Sequence, residues 1–103
     1  MIKILLICNQ GTSVSMLPKK IEDYAKGKGV DVHADAASFV NVENYVDQTD
    51  IMLIGPQARY LLKKMQNEYG DKVPVIQVIN MLDFGLLKAD KIFDEAYAAY
   101  SAR

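Results

Sequence analysis

Four short runs of β-forming apolar residues, each separated from the next by a stretch long enough for a helix, constrain this chain more than any other feature. The first, Ile2-Lys3-Ile4-Leu5-Leu6-Ile7, is broken only by Lys3. The second, over residues 30–36, alternates Val30, Val32 and Ala34 with polar neighbours. The third, Asp50-Ile51-Met52-Leu53-Ile54, is stopped by Gly55-Pro56-Gln57, and the fourth spans Pro74–Ile79. Three of the four lack the alternation of a half-solvated strand, so both of their faces have to be covered. The covering segments carry helical spacing. Residues 14–28 set Leu17, Ile21, Tyr24 and Ala25 on one side and end in Gly27-Lys28-Gly29. Phe39, Val42, Tyr45 and Val46 favour a short helix over 38–48, and Leu61, Leu62, Met65 and Tyr69 share one face of a helix over 58–69 with Gly70 as its C-cap. A closing helix over 84–101 turns Leu87, Ile92, Phe93, Ala96, Tyr97 and Tyr100 inward.

Strands that alternate with helices and are buried on both sides form a parallel sheet with right-handed crossovers. The expected fold is therefore a single α/β domain over residues 1–103. It is a doubly wound, four-stranded parallel sheet in the order 2-1-3-4 flanked by helices, flavodoxin-like or low-molecular-weight-phosphatase-like. A length of 103 residues leaves no room for a second domain. Twelve basic residues against thirteen acidic ones leave a net charge of −1 and no basic face, which argues against a nucleic-acid partner. The longest apolar run, Ile4–Cys8, is far short of the roughly 20 residues of a membrane helix and too short for a signal peptide. The single Cys can form no internal disulfide, and no Cys/His cluster exists to hold zinc. The chain reads as a reduced, cytoplasmic domain that needs neither metal nor cofactor, and nothing in it demands more than a monomer.

In a sheet of this order, ligands bind at the carboxyl ends of the strands, where chain direction reverses beside the first strand. Cys8 is the first residue past that strand, and Asn9-Gln10-Gly11-Thr12-Ser13-Val14-Ser15 leads from it into the first helix. Backbone N–H groups of residues 9–13 have no helical partner and can converge on one point, which the positive end of the helix also faces. Gly11 permits the turn this requires. The result is an anion site wrapped around a sulfur. A free thiol of pKa ~8.5 is only about 3% thiolate at neutral pH, and a drop of roughly two units makes the thiolate the majority species. Such a thiolate can attack a phosphoryl group and hold it as phosphocysteine. The competing reading is a small apolar residue at the end of a buried strand; the donor-rich Gly-Thr-Ser-Val-Ser that follows favours the chemical one.

Two chemistries share such a loop. A cysteine phosphatase needs an Arg six residues after the Cys, where this chain has Val14, and an acid to protonate the leaving oxygen. Asp47, Asp50 and Asp83 are the candidates for that acid. An arsenate reductase needs further cysteines. A loop with neither Arg nor acid suits a carrier that accepts phosphate, resists water and passes the phosphate on. A non-catalytic regulatory module is the remaining alternative.

Ile4-Leu5-Leu6-Ile7-Cys8-x-x-Gly11-x-Ser13-x-Ser15 resembles the phosphorylation loop of the lactose/cellobiose class of enzyme IIB, a component of the bacterial phosphotransferase system. Leu53-Ile54-Gly55-Pro56-Gln57-x-x-Tyr60 resembles that family's third strand exit, and Val78-Ile79-Asn80…Phe84-Gly85 its fourth. The resemblance implies that Cys8 takes phosphate from a phosphohistidine of enzyme IIA. It implies delivery to a sugar, a β-linked disaccharide or β-glucoside, held by membrane component IIC, with which the chain associates at the inner membrane face. Phosphate-binding residues would be Asn9 to Ser15, with hydroxyls from Thr12, Ser13 and Ser15. The chain departs from the family at Val14, often Thr, and at Asn80, often Asp. Pro18 would be harmless to the helix if Ser15 is its N-cap, and would delete a hydrogen bond if Ser13 is.

Met16, Gln57 and Tyr60 are candidate rim or partner contacts, and Met16 with Val14 and Leu17 would form an apolar docking surface if exposed. Lys19, Lys20 and Arg59 could attract a phosphorylated partner but read as solvated helix charges. His33, the single histidine, falls on the second strand, an edge of the sheet, and reads as solvated.

Overall fold

The computed structural model describes residues 1–8 and 16–103, with Cys8 described by its backbone alone. The elements run β1 (Ile2–Cys8), α1 (Leu17–Gly27), β2 (Val32–Ser38), two 3-10 segments (Phe39–Asn44 and Val46–Gln48), β3 (Ile51–Ile54), a further 3-10 segment (Pro56–Leu61), α2 (Leu62–Tyr69), β4 (Val75–Val78), α3 (Met81–Gly85) and α4 (Ala89–Ala102). The four strands form one parallel sheet in the order β2-β1-β3-β4, as the apolar runs predict.

Because successive side chains of a strand point to opposite faces, the uninterrupted runs feed two cores. Ile4 and Leu6 of β1 and Ile51 and Leu53 of β3 lie against Leu17, Ile21 and Ala25 of α1 and Ile92, Phe93 and Ala96 of α4. Leu5, Ile7, Met52 and Ile54 lie on the other side with Val42, Val46, Ala58, Leu61 and Met65. β1 and β3 are thus covered on both faces. At roughly 1.5–3 kcal/mol for each fully buried Leu, Ile or Met side chain, they anchor the fold. Thr49, the one polar side chain among the described residues that is buried, donates its hydroxyl to the Tyr45 carbonyl at 2.8 Å.

Local boundaries follow capping chemistry. α1 closes with Gly29 at φ +79°, its N–H donating to Lys26 O and the Val30 N–H to Ala25 O, a Schellman stop. At its other end the N-cap is Met16, not Ser13 or Ser15, so Pro18 falls at the second helical position, where a missing N–H costs nothing. Gly70 does cap α2, but with ordinary helical dihedrals; a Cβ there would collide with the Gln66 carbonyl oxygen.

The segment over 38–48 is 3-10 rather than α, and the helix expected over 84–101 is two helices. They are separated at Leu87, whose φ of +51° ends α3 while its side chain still packs on the core.

α1 and α4 are tied together outside the core. The Tyr24 hydroxyl donates to Asp94 at 2.9 Å, Lys28 Nζ reaches the same carboxylate at 3.0 Å, and Phe93 stacks on Tyr97 and meets Tyr24 edge-on. The hydrogen bonds from Lys28 and then Tyr24 hold the Asp94 carboxyl below its usual range. Its depressed folded pKa means the contribution is present above the unfolded value and fades as pH falls through the folded one. Asp94→Asn should therefore reduce the loss of stability on acidification, read as the shift in urea midpoint between neutral pH and about pH 3. An acid limb identical to wild type would remove Asp94 from that role.

Candidate functional site

The carboxyl edge of the sheet is assembled by β1 and its two neighbours. Cys8 stands opposite Ser38 in the β1–β2 register, and on the other side the Gly55 N–H donates to Ile7 O at 2.8 Å. The last residue of β1 is thus bracketed by the exits of β2 and β3. From there the chain leaves β1 for the face of α1 and leaves β3 for the face of α2, so the crossovers diverge, and the region between such diverging exits is where ligands bind in open α/β sheets.

Asn9, Gln10, Gly11, Thr12, Ser13, Val14 and Ser15 lie outside the described residues. The chain is described again at Met16, which is exposed and has no side-chain oxygen to cap α1; Lys20 N–H reaches its carbonyl at 3.2 Å. The first turn of α1 holds no acidic residue, so nothing there offsets the positive end of the helix. Gln57 and Tyr60 are both exposed on the 3-10 segment that follows β3, on the same edge as Cys8.

Other residues are placed away from this edge. Asp50 begins the run into β3 at the opposite edge, where its N–H bonds Lys3 O at 2.8 Å and its carboxylate accepts from Lys3 N–H at 2.9 Å. Lys3 is five residues from Cys8, roughly 17 Å along a strand. Asp47 pairs with Lys72 at 3.4 Å beside the approach to β4. Of the three acids weighed for hydrolysis, only Asp83, half-buried in α3, shares the edge of Cys8. His33 sits near the start of β2, half-exposed, with Nδ1 3.2 Å from Glu22 and Nε2 3.0 Å from Asp35, so it is engaged by carboxylates rather than simply solvated. Lys19 pairs with Asp23 at 3.4 Å. No three His, Cys, Asp or Glu side chains among the described residues are grouped to hold a metal.

The sequence reading missed α3. Asn80 Oδ1 accepts from the N–H groups of Leu82 (2.9 Å) and Asp83 (3.2 Å), an N-cap that starts the helix straight after β4. Met81 and Leu82 are left exposed beside the exit of β4. Asn80 followed by an acidic residue at the third helical position was the available signal. Asn80 is thus a cap, a role an Asp fills equally well. Asn80→Ala should cost about 1 kcal/mol in urea unfolding and Asn80→Asp only a few tenths; equal losses would mean that the cap contributes nothing.

Comparison with known proteins extends this geometry. The sequence model of the family described as "PTS system, Lactose/Cellobiose specific IIB subunit" matches residues 3–95. The chain is 31% identical over 94 residues to the oligo-beta-mannoside-specific EIIB component of Bacillus subtilis (strain 168), covering 91% of each. It is 30% identical over 102 residues to the cellobiose-specific EIIB component of Lactococcus lactis subsp. lactis (strain IL1403), covering 90% of this chain and 91% of that one. The solution structure of a cellobiose-specific phosphotransferase IIB component from Borrelia burgdorferi superposes with a TM-score of 0.77 at 33% identity, over 98% of this chain and 93% of the other.

Proposed function

As the chain belongs to the lactose/cellobiose-specific IIB family of the phosphotransferase system, we propose that it carries a phosphoryl group on Cys8, taken from a phosphohistidine of component IIA and delivered to a sugar held by membrane component IIC. The observation that carries this reading is the place of Cys8: last residue of a strand flanked on both sides, at the edge where the crossovers diverge.

The steps balance as two displacements. Cys8 thiolate attacks the phosphorus, the S–P bond forms as the P–N bond breaks, and the imidazole leaves and takes a proton. A sugar hydroxyl then attacks the phosphocysteine, losing its proton as the O–P bond forms, and the thiolate departs. Neutralising the transferring charge falls to the backbone N–H groups of Asn9 to Ser13, the hydroxyls of Thr12, Ser13 and Ser15, and the unopposed positive end of α1.

Retention of the phosphate, rather than hydrolysis, is favoured by what surrounds the site. Val14 stands where a phosphatase has its Arg, and of the three candidate acids Asp47 and Asp50 are at the far edge, leaving only Asp83 on the edge of Cys8. The chain acts in the cytoplasm, meeting the membrane through IIC; among the described residues no helix is long and apolar enough to cross it. A β-linked disaccharide or β-glucoside is supported by the cellobiose-specific relative, while others at nearly equal identity are specific for oligo-beta-mannosides and for galactose.

Incubation with phosphoenolpyruvate, the general components and a IIA of this class should add one phosphoryl mass (~80 Da) to the wild-type chain and none to Cys8→Ser, with the fold of the variant intact. Full acceptance by Cys8→Ser would overturn the assignment, and steady turnover of p-nitrophenyl phosphate would revive the phosphatase.

A further inference from the structure

β2 is the outermost strand beside β1, so one of its two sides faces no other strand of the sheet. Ile2 stands opposite Val32, and its N–H donates to Asp31 O at 2.9 Å. Backbone groups alternate sides along a strand, so Asp31, His33 and Asp35 bond to β1, while Val32, Ala34 and Ala36 aim their N–H and C=O groups outward. Such a row is a template on which another strand can pair. The start of this flank is open: a cavity of about 490 Å³ runs along α1 and the first residues of β2, lined by Lys19, Glu22, Lys26, Val30 and Val32.

The middle of the row is occupied. Glu22, half-buried on α1, reaches round the strand, and its Oε2 accepts the Ala34 N–H at 2.8 Å. The same oxygen lies 3.2 Å from His33 Nδ1, and His33 Nε2 lies 3.0 Å from Asp35 Oδ2. None of these three side chains belongs to either core, so their contacts serve the flank itself.

We propose that Glu22 guards the outer side of β2, and that what it turns away is a second copy of this chain, whose β2 would otherwise add antiparallel to this one. The side chains specify that partner. Identical strands related by a two-fold axis pair antiparallel. With Ala34 opposite Ala34, Val32 meets Ala36, and His33 meets Asp35 of the second copy on both sides of the axis. These two positions fall between hydrogen-bonded pairs, where side chains come closest and His33 can donate to the facing carboxylate. A shift of register in one direction sets Asp35 against Asp35. A shift in the other sets His33 against His33 and Asp35 against Asp31. The strand is complementary to itself in one register, and that register needs the Ala34 N–H that Glu22 holds. The guard is independent of the chemistry at Cys8.

The experiment is the mass of the full chain by sedimentation equilibrium between roughly 1 μM and 1 mM. Wild type should stay near 11.5 kDa throughout. Glu22→Ala removes the acceptor and should climb toward twice that mass. Glu22→Gln, whose side-chain oxygen can still take the Ala34 N–H, should stay single. Adding His33→Asp to Glu22→Ala sets carboxylate against carboxylate and should move the half-point of the climb up by roughly tenfold. A single-copy mass for Glu22→Ala, with cooperative urea unfolding retained, overturns the guard, and so does doubling by wild type. Doubling by Glu22→Gln as readily as by Glu22→Ala assigns the effect to charge and overturns the part of the hydrogen bond. Doubling that ignores His33→Asp overturns the β2 pairing. If Glu22→Ala does not fold, wild type decides: its Ala34 amide should exchange more than about tenfold slower than in an unfolded chain, and unprotected exchange there overturns the guard.

Discussion

Burial of β1 and β3 on both faces is the constraint from which the rest of the molecule follows. A strand such as Ile4-Leu5-Leu6-Ile7 cannot leave either side to water, so one helical layer must lie above the sheet and another below. Helical crossovers between adjacent strands then run all strands in the same direction, which gathers every strand exit on one edge. Cys8 needs no special device to reach that edge. It is simply the last residue of a doubly buried strand, and the crossovers through α1 and α2 lie on opposite faces of the sheet.

This arrangement divides labour between two edges. The edge where strands begin is cross-braced by polar contacts, including Asp50 on Lys3, Lys72 on Asp47, and the Schellman turn at Gly29. The edge where strands end carries Met16, Val40, Tyr60, Met81 and Leu82 in the open. Exposure of such side chains costs solubility without contributing to the core.

Much of this was legible in the residues themselves. Uninterrupted Ile/Leu/Val/Met runs identified strands and their double burial, and the order of elements gave the sheet topology. The failures have particular causes. Leu87 reads as an inward helical residue, and its side chain is indeed turned to the core, yet its backbone is left-handed and divides α3 from α4. Burial periodicity reports where a side chain goes and is silent about φ. Phe39, Val42 and Tyr45 recur at intervals of three, the 3-10 repeat, within a segment read as a generic short helix. Glu22 was not foreseen beside His33 because α1 and β2 come together only in the folded chain, whereas Asp35, two residues along the same strand and on the same face, was legible in the sequence and overlooked. Asn9 to Ser15 rest on their residue types, lying outside the described residues.

The cap at α3 also sets the hydrogen-bonding polarity of its corner. Asn80 Oδ1 is taken up by two backbone N–H groups, and the side chain is exposed, so its outward half is the amide nitrogen. Asn80 therefore offers only donors to anything that approaches the exit of β4. An aspartate in the same cap would offer a carboxylate oxygen and a negative charge, repelling an anion that Asn80 can instead hydrogen-bond. A substitution that is neutral for folding thus inverts what this corner of the molecule shows to a visitor.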